Sequence, residues 1–153
     1  MKKVLLATIV TSVILSGCSS VPMESKELTQ SAQSFSVPSV ENSGIYVYRK
    51  NTMVGAALKK DVFIDGACIG ETAPGIFFYQ EVAGNKPHTI STESEFSNND
   101  LVINAESGQL YFVEQYIKMG AFVGGAGLQA VDEKIGKEEV LKSHLAKAGT
   151  CSL

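Results

Sequence analysis

Few residues in this chain have a type and spacing that could do chemistry. The two histidines, His88 and His144, come first, because an imidazole can serve as base, proton shuttle or metal ligand near neutral pH. His88 shares an alternating face with Ile90, which favours a packed, hydrogen-bonded ring over a ligand. His144 lies beside the apolar residues near the C-terminus and reads as a boundary residue. No group of Cys or His has zinc spacing, so no metal site is expected. Glu93 and Glu95, two apart, would share one strand face as a glycosidase pair does, but alternating acids on a wet face chiefly solvate it. No Gly-x-Ser-x-Gly elbow occurs. Residues 125–130, Gly-Ala-Gly-Leu-Gln-Ala, match the dinucleotide glycine pattern in letters, without the βαβ frame or the later acidic residue. The expectation is a non-enzyme with no catalytic residue and no cofactor.

The N-terminus carries more information. Met1-Lys2-Lys3 is a positive n-region, and residues 4–15 form an apolar stretch of signal-peptide length, too short to span a bilayer in the usual way. Leu15-Ser16-Gly17-Cys18 follows and resembles the bacterial lipobox. This resemblance implies removal of residues 1–17 and lipidation of Cys18, anchoring the chain in the cell envelope. An ordinary secretory signal is the alternative. Ser19, rather than Asp, implies transfer to the outer membrane, with the domain facing the periplasm. Without Lys2 and Lys3 the chain has 11 basic against 16 acidic residues, a formal charge of −5, which argues against nucleic acid as a partner. Outside the cytosol, Cys68 and Cys151 are the remaining cysteines and are expected to pair; two free thiols are the alternative.

Residues 18–43 read as the lipidated Cys and a flexible tether. They hold eight serines after Cys18, two prolines and no periodic apolar face. The transient helix possible over 24–33 is a weak feature. The folded domain is expected over 44–153. Its centre is Asp61-Val62-Phe63-Ile64-Asp65-Gly66-Ala67-Cys68, a strand, a two-residue turn and a second strand. Asp-Gly suits a type I′ turn, which needs positive φ at both central residues. Further alternating runs follow: Ile45 and Val47; 75–82; His88, Ile90 and Phe96 opposite Glu93 and Glu95; Leu101, Ile103 and Ala105; Tyr111, Val113 and Ile117. A helix is expected from Lys137, with Val140, Leu141, Leu145 and Ala148 on one face and Gly149 as its stop. The predicted fold is mainly β, a small antiparallel sandwich or open barrel with one C-terminal helix.

The order Gly-Ile-Tyr-Val-Tyr-Arg (44–49), Val-Phe-Ile-Asp-Gly-x-x-Ile-Gly (62–70), Pro-Gly-x-Phe (74–77), Lys-Pro-His-Thr-Ile (86–90) and Gly-Gln-Leu-Tyr-Phe-Val (108–113) resembles the bacterial lipoprotein family called domain of unknown function 2846. The middle of the run is similar to the PEGA-type β repeat. The resemblance brings no catalytic residues. It implies a carbohydrate- or peptidoglycan-binding module as one reading, in which Tyr46, Tyr48 and Tyr79 would have to replace the absent Trp as sugar platforms. The preferred reading is a lipid-anchored envelope domain that contacts another envelope component.

Two uncharged, apolar, glycine-containing stretches, 53–58 and 119–128, both follow strands that end in basic residues. They are expected to meet and form a contact patch from Met53, Val54, Gly55, Leu58, Met119, Phe122, Val123 and Leu128. The alternative places Phe122, Val123 and Leu128 in the core.

Overall fold

The computed structural model describes residues 21–152. The order of elements is α1 (Lys26–Ala32), β1 (Asn42–Arg49), β2 (Lys60–Ile64), β3 (Ala67–Thr72), β4 (Ile76–Ala83), β5 (Lys86–Thr92), β6 (Asn99–Ala105), β7 (Leu110–Lys118), β8 (Gly125–Val131), α2 (Glu133–Leu141) and β9 (His144–Leu145). Two sheets stack, β8-β7-β1-β4-β9 and β3-β2-β5-β6. Their facing side chains, among them Ile45, Val47, Val62, Phe78, Ile90 and Val113, form the inner core. This is the mainly β sandwich that the alternating runs predict.

The Asp65-Gly66 turn has φ of 51° and 78°, as the type I′ geometry requires. A bulge between Val62 and Phe63 bends the hairpin, and Gly70 sits there at φ 142° with the Phe78 ring 2.6 Å from where a Cβ would lie. Only glycine fits that combination.

Three features depart from the sequence expectation. First, the larger sheet is mixed, because β1 pairs antiparallel with β4 and parallel with β7, and β9 pairs parallel with β4. Both edges of β1 are therefore paired, and its residues 43–49 are buried on both faces. Tyr46 and Tyr48 lie on the outer face in a second cluster with Phe77, Phe112 and Val140, beneath the helices. A continuous Ile-Tyr-Val-Tyr run suits a strand buried on both sides.

Second, 21–43 is not a tether. Val21 is buried in the inner core, and Met23 bridges Ala146 antiparallel at the sheet edge. Ser25 caps α1 by accepting from the Leu28 amide. Gln33 Nε2 donates to the carbonyls of Val140 and Ser143, and Phe35 meets Tyr46 and Phe112 edge-on. The serine-rich composition hid these anchors, since each is a single side chain rather than a periodic face.

Third, the C-terminal helix is α2, ending at Leu141 rather than Gly149. Asp132 caps it by accepting from the Lys134 amide, and Leu145 leaves the helical path to pair with Phe77. The periodic match of Leu145 to Val140 and Leu141 is a coincidence of spacing. β5 likewise ends at Thr92, so Glu93, Glu95 and Phe96 belong to the following loop. No helix among the described residues is long and apolar enough to cross a membrane.

Candidate functional site

Three loops meet at one end of the sandwich: 50–59 after β1, 93–98 after β5 and 119–124 after β7. Their contacts are close. A Cβ on Gly55 would lie 2.7 Å from the Ile117 side chain, and one on Gly124 would lie 2.5 Å from Leu58 Cδ1. The two apolar glycine-containing stretches are thus neighbours, and the glycines allow their approach.

Two charged side chains fix the loop backbones. Arg49, 3 % exposed, donates from its guanidinium to Leu58 O at 2.6 Å and to Gly55 O at 2.5 Å. Burial pulls its pKa below the usual arginine value. Glu95 accepts from three successive amides, Ala121 at 2.6 Å, Phe122 at 2.5 Å and Val123 at 3.2 Å. Desolvation works to raise the Glu95 pKa, but the three amides outweigh it and hold the carboxyl below its ordinary range.

With these backbone groups satisfied, the loop side chains point outward. Met53 and Met119 are each 91 % exposed, Phe122 88 % and Phe96 80 %, with Val54 and Val123 also exposed. Isolated exposed apolar residues are ordinary; here six large ones stand on three loops whose backbones are tied to one another. Within the predicted patch the roles divide. Met53, Val54, Met119, Phe122 and Val123 are its exposed members, Gly55 and Leu58 join the loops, and Leu128 packs on the inner core. Phe96, Arg49 and Glu95 join these loops although no sequence pattern marks them. Glu95 looked like one of two solvating acids because the strand pattern ran on past Thr92; in the structure Glu93 instead pairs with Lys60 at 3.4 Å.

The remaining candidates lie elsewhere. His88 is 2 % exposed and faces two acceptors, Asp65 Oδ2 at 2.6 Å from Nδ1 and Ala83 O at 2.7 Å from Nε2. His144 is exposed on β9. The sulfurs of Cys68 and Cys151 are 2.00 Å apart, a disulfide with Cα atoms 6.1 Å apart. Cys18 lies outside the described residues. No group of metal-ligating side chains occurs among the described residues.

The three tyrosines do not make a sugar platform. Tyr46 and Tyr48 are 1 % and 0 % exposed, and burial raises the pKa of both hydroxyls. Tyr79 alone is half-buried, its pKa pushed up to about 12 by burial and by Glu81. It lines a cleft of about 290 Å³ with Ser31, Ser36, Val37 and Glu81. A buried polar chain that no sequence pattern marks runs between the sheets: Thr72 donates to Gln115, and Gln115 donates to Thr92 at 2.7 Å, all three fully buried.

Residues 39–126 match the family model described as a protein of unknown function (DUF2846). An uncharacterized protein of Haemophilus influenzae is 50% identical over 135 residues, which is 88% of this chain and 79% of that relative. No solved structure matches.

Proposed function

We propose that this chain, which belongs to the family of proteins of unknown function DUF2846, is a non-enzymatic interaction domain of the bacterial envelope, lipid-anchored through Cys18. In this reading it faces the periplasm from the outer membrane and meets a protein partner through the loop end. The observation that carries the contact is the set of six exposed apolar side chains on loops whose backbones are already held by Arg49 and Glu95. A surface fixed in this way loses little further entropy when it is covered. The non-catalytic part is supported by the use of His88, Glu93 and Glu95 in structural contacts. The anchor rests on the lipobox-like Leu15-Ser16-Gly17-Cys18.

A photo-crosslinker placed at position 122 in intact envelopes tests the contact. A discrete, reproducible protein adduct is expected there and not at position 40, where Val40 is 93 % exposed away from the loop end. Adducts to lipid alone, or none, would overturn the reading. Cys18→Ala tests the anchor separately, with loss of labelled palmitate as the expected result.

A second reading, glycan binding, draws on the cleft where Tyr79 and Glu81 meet two serines. Sedimentation with peptidoglycan that depends on Glu81 would favour it, and an unchanged Glu81→Gln variant or no sedimentation would remove it.

A further inference from the structure

We propose that the Cys68–Cys151 bridge is a redox lock on a C-terminal strap, and that its reduction frees the strap and uncovers the edge of β3. The lock is independent of the loop-end surface and of the lipid anchor.

β3 is an edge strand of its sheet, and an edge left bare is a template for pairing with another chain. Residues 149–152 occupy this edge. Gly149 N donates to Ile69 O at 3.1 Å, and Glu71 N donates to Thr150 O at 3.0 Å. The strap then folds over Asp61, which is 0 % exposed. Ser152 donates to that carboxylate from its amide, at 3.1 Å to Oδ1 and 3.0 Å to Oδ2, and from its hydroxyl at 2.8 Å.

Ala146 is the last buried apolar residue before the strap, while Lys147, Ala148, Gly149, Thr150 and Ser152 are exposed. Gly149, at φ 98°, supplies the bend. None of the strap's described residues, 149–152, is buried, and the bridge is the covalent cross-link that ties them to β3. Both cysteines are partly exposed, so a reductant can reach them.

The exchange balances with a dithiol of the Cys-x-x-Cys oxidoreductase class. Its thiolate bonds to one sulfur of the bridge, and the other sulfur leaves as a thiolate and takes up a proton. The reductant's second thiolate then bonds to the reductant's own sulfur in the mixed disulfide, and the protein's second sulfur leaves as a thiolate and takes up a proton. Two electrons pass to this chain, Cys68 and Cys151 end as thiols, and the reductant ends as a disulfide. Once the strap moves, the Asp61 carboxylate exchanges its Ser152 donors for water.

Hydrogen exchange on the full chain in detergent micelles, oxidised against dithiothreitol-reduced, tests the lock. The Glu71 and Gly149 amides are expected to exchange at least roughly tenfold faster after reduction, with Val47 and Val113 unchanged. Cys151→Ser should reproduce the reduced pattern without reductant. If that variant does not fold, reduction of the folded wild type still decides. Unchanged protection at Glu71 would overturn the lock. Equal loss of protection at Val47 and Val113 would do so too, because the bridge would then only support global stability.

Discussion

At the scale of single residues, the hairpin turn and His88 form one unit. Asp65 holds a positive φ in the turn, and its carboxylate accepts from the Thr89 amide at 2.9 Å and from His88. Burial alone works to raise its pKa; the Thr89 amide and His88 outweigh this and hold it below the usual carboxylate value. A group with a depressed folded pKa stabilises above its unfolded pKa, and that contribution is lost as pH falls through the folded value. Asp65→Asn keeps the turn, since Asn also tolerates positive φ, and removes the charge. The variant should be less stable by roughly 0.5–1 kcal/mol at neutral pH, allowing for the screening of a half-exposed carboxylate. Its stability should also fall less steeply than wild type between about pH 4 and 2, as followed by urea unfolding at each pH. The core-facing position of His88 was legible from its spacing to Ile90. Its carboxylate partner was not, because Asp65 and His88 are joined only once β2 lies on β5.

At the scale of elements, strands were easier to read than helix ends. Strand alternation repeats over several residues, whereas α2 is set by one cap, Asp132, and one glycine. Gly136 sits where α2 crosses β7, with the Phe112 Cγ 2.3 Å from where a Cβ would be. In an exposed helix Gly→Ala stabilises by about 1 kcal/mol. Here the sign reverses, because the neighbour is a buried ring on a central strand. Gly136→Ala should lower stability by about 1–3 kcal/mol, read as a drop in the urea midpoint at constant m-value. An increase instead would mean that α2 shifts freely over the sheet. The apolar loops were legible as a pair because both lack charge and hold glycine. Their clamps, Arg49 and Glu95, were not, since the acceptor carbonyls and donor amides belong to backbone that no sequence pattern marks.

At the scale of the whole molecule, the largest correction concerns the N-terminal segment. Its serines and prolines fit a flexible tether, yet the chain from Val21 onward is docked. Between Cys18 and Val21 there are only Ser19 and Ser20, a reach of about 10 Å at full extension. A lipidated Cys18 would therefore hold the domain against its membrane. Trypsin distinguishes the two pictures at Lys26, inside α1. Cleavage there should be on the order of 100-fold slower than in an unstructured segment, and fast cleavage of the native protein would restore the tether. The bridge joins β3 to the C-terminal strap across a separation of 83 residues. Both of its cysteines were legible as a pair, whereas the strap they fasten was hidden in a short polar tail.

The position of β1 at the centre of the larger sheet has a consequence for how the chain is made. A ribosome delivers β1 before either of its neighbours, and the parallel partner of Gly44 is Leu110. Until that residue has emerged, Ile45-Tyr46-Val47-Tyr48 is an apolar, β-prone run whose β7 edge is unpaired even after β4 has formed. Such long-range closure is slow, in the millisecond-to-second range, and leaves the nascent chain exposed to aggregation for that time. Fragments that stop short of β7 should therefore need a holding chaperone to stay soluble, whereas the finished chain, its central strand enclosed on both edges and both faces, should not.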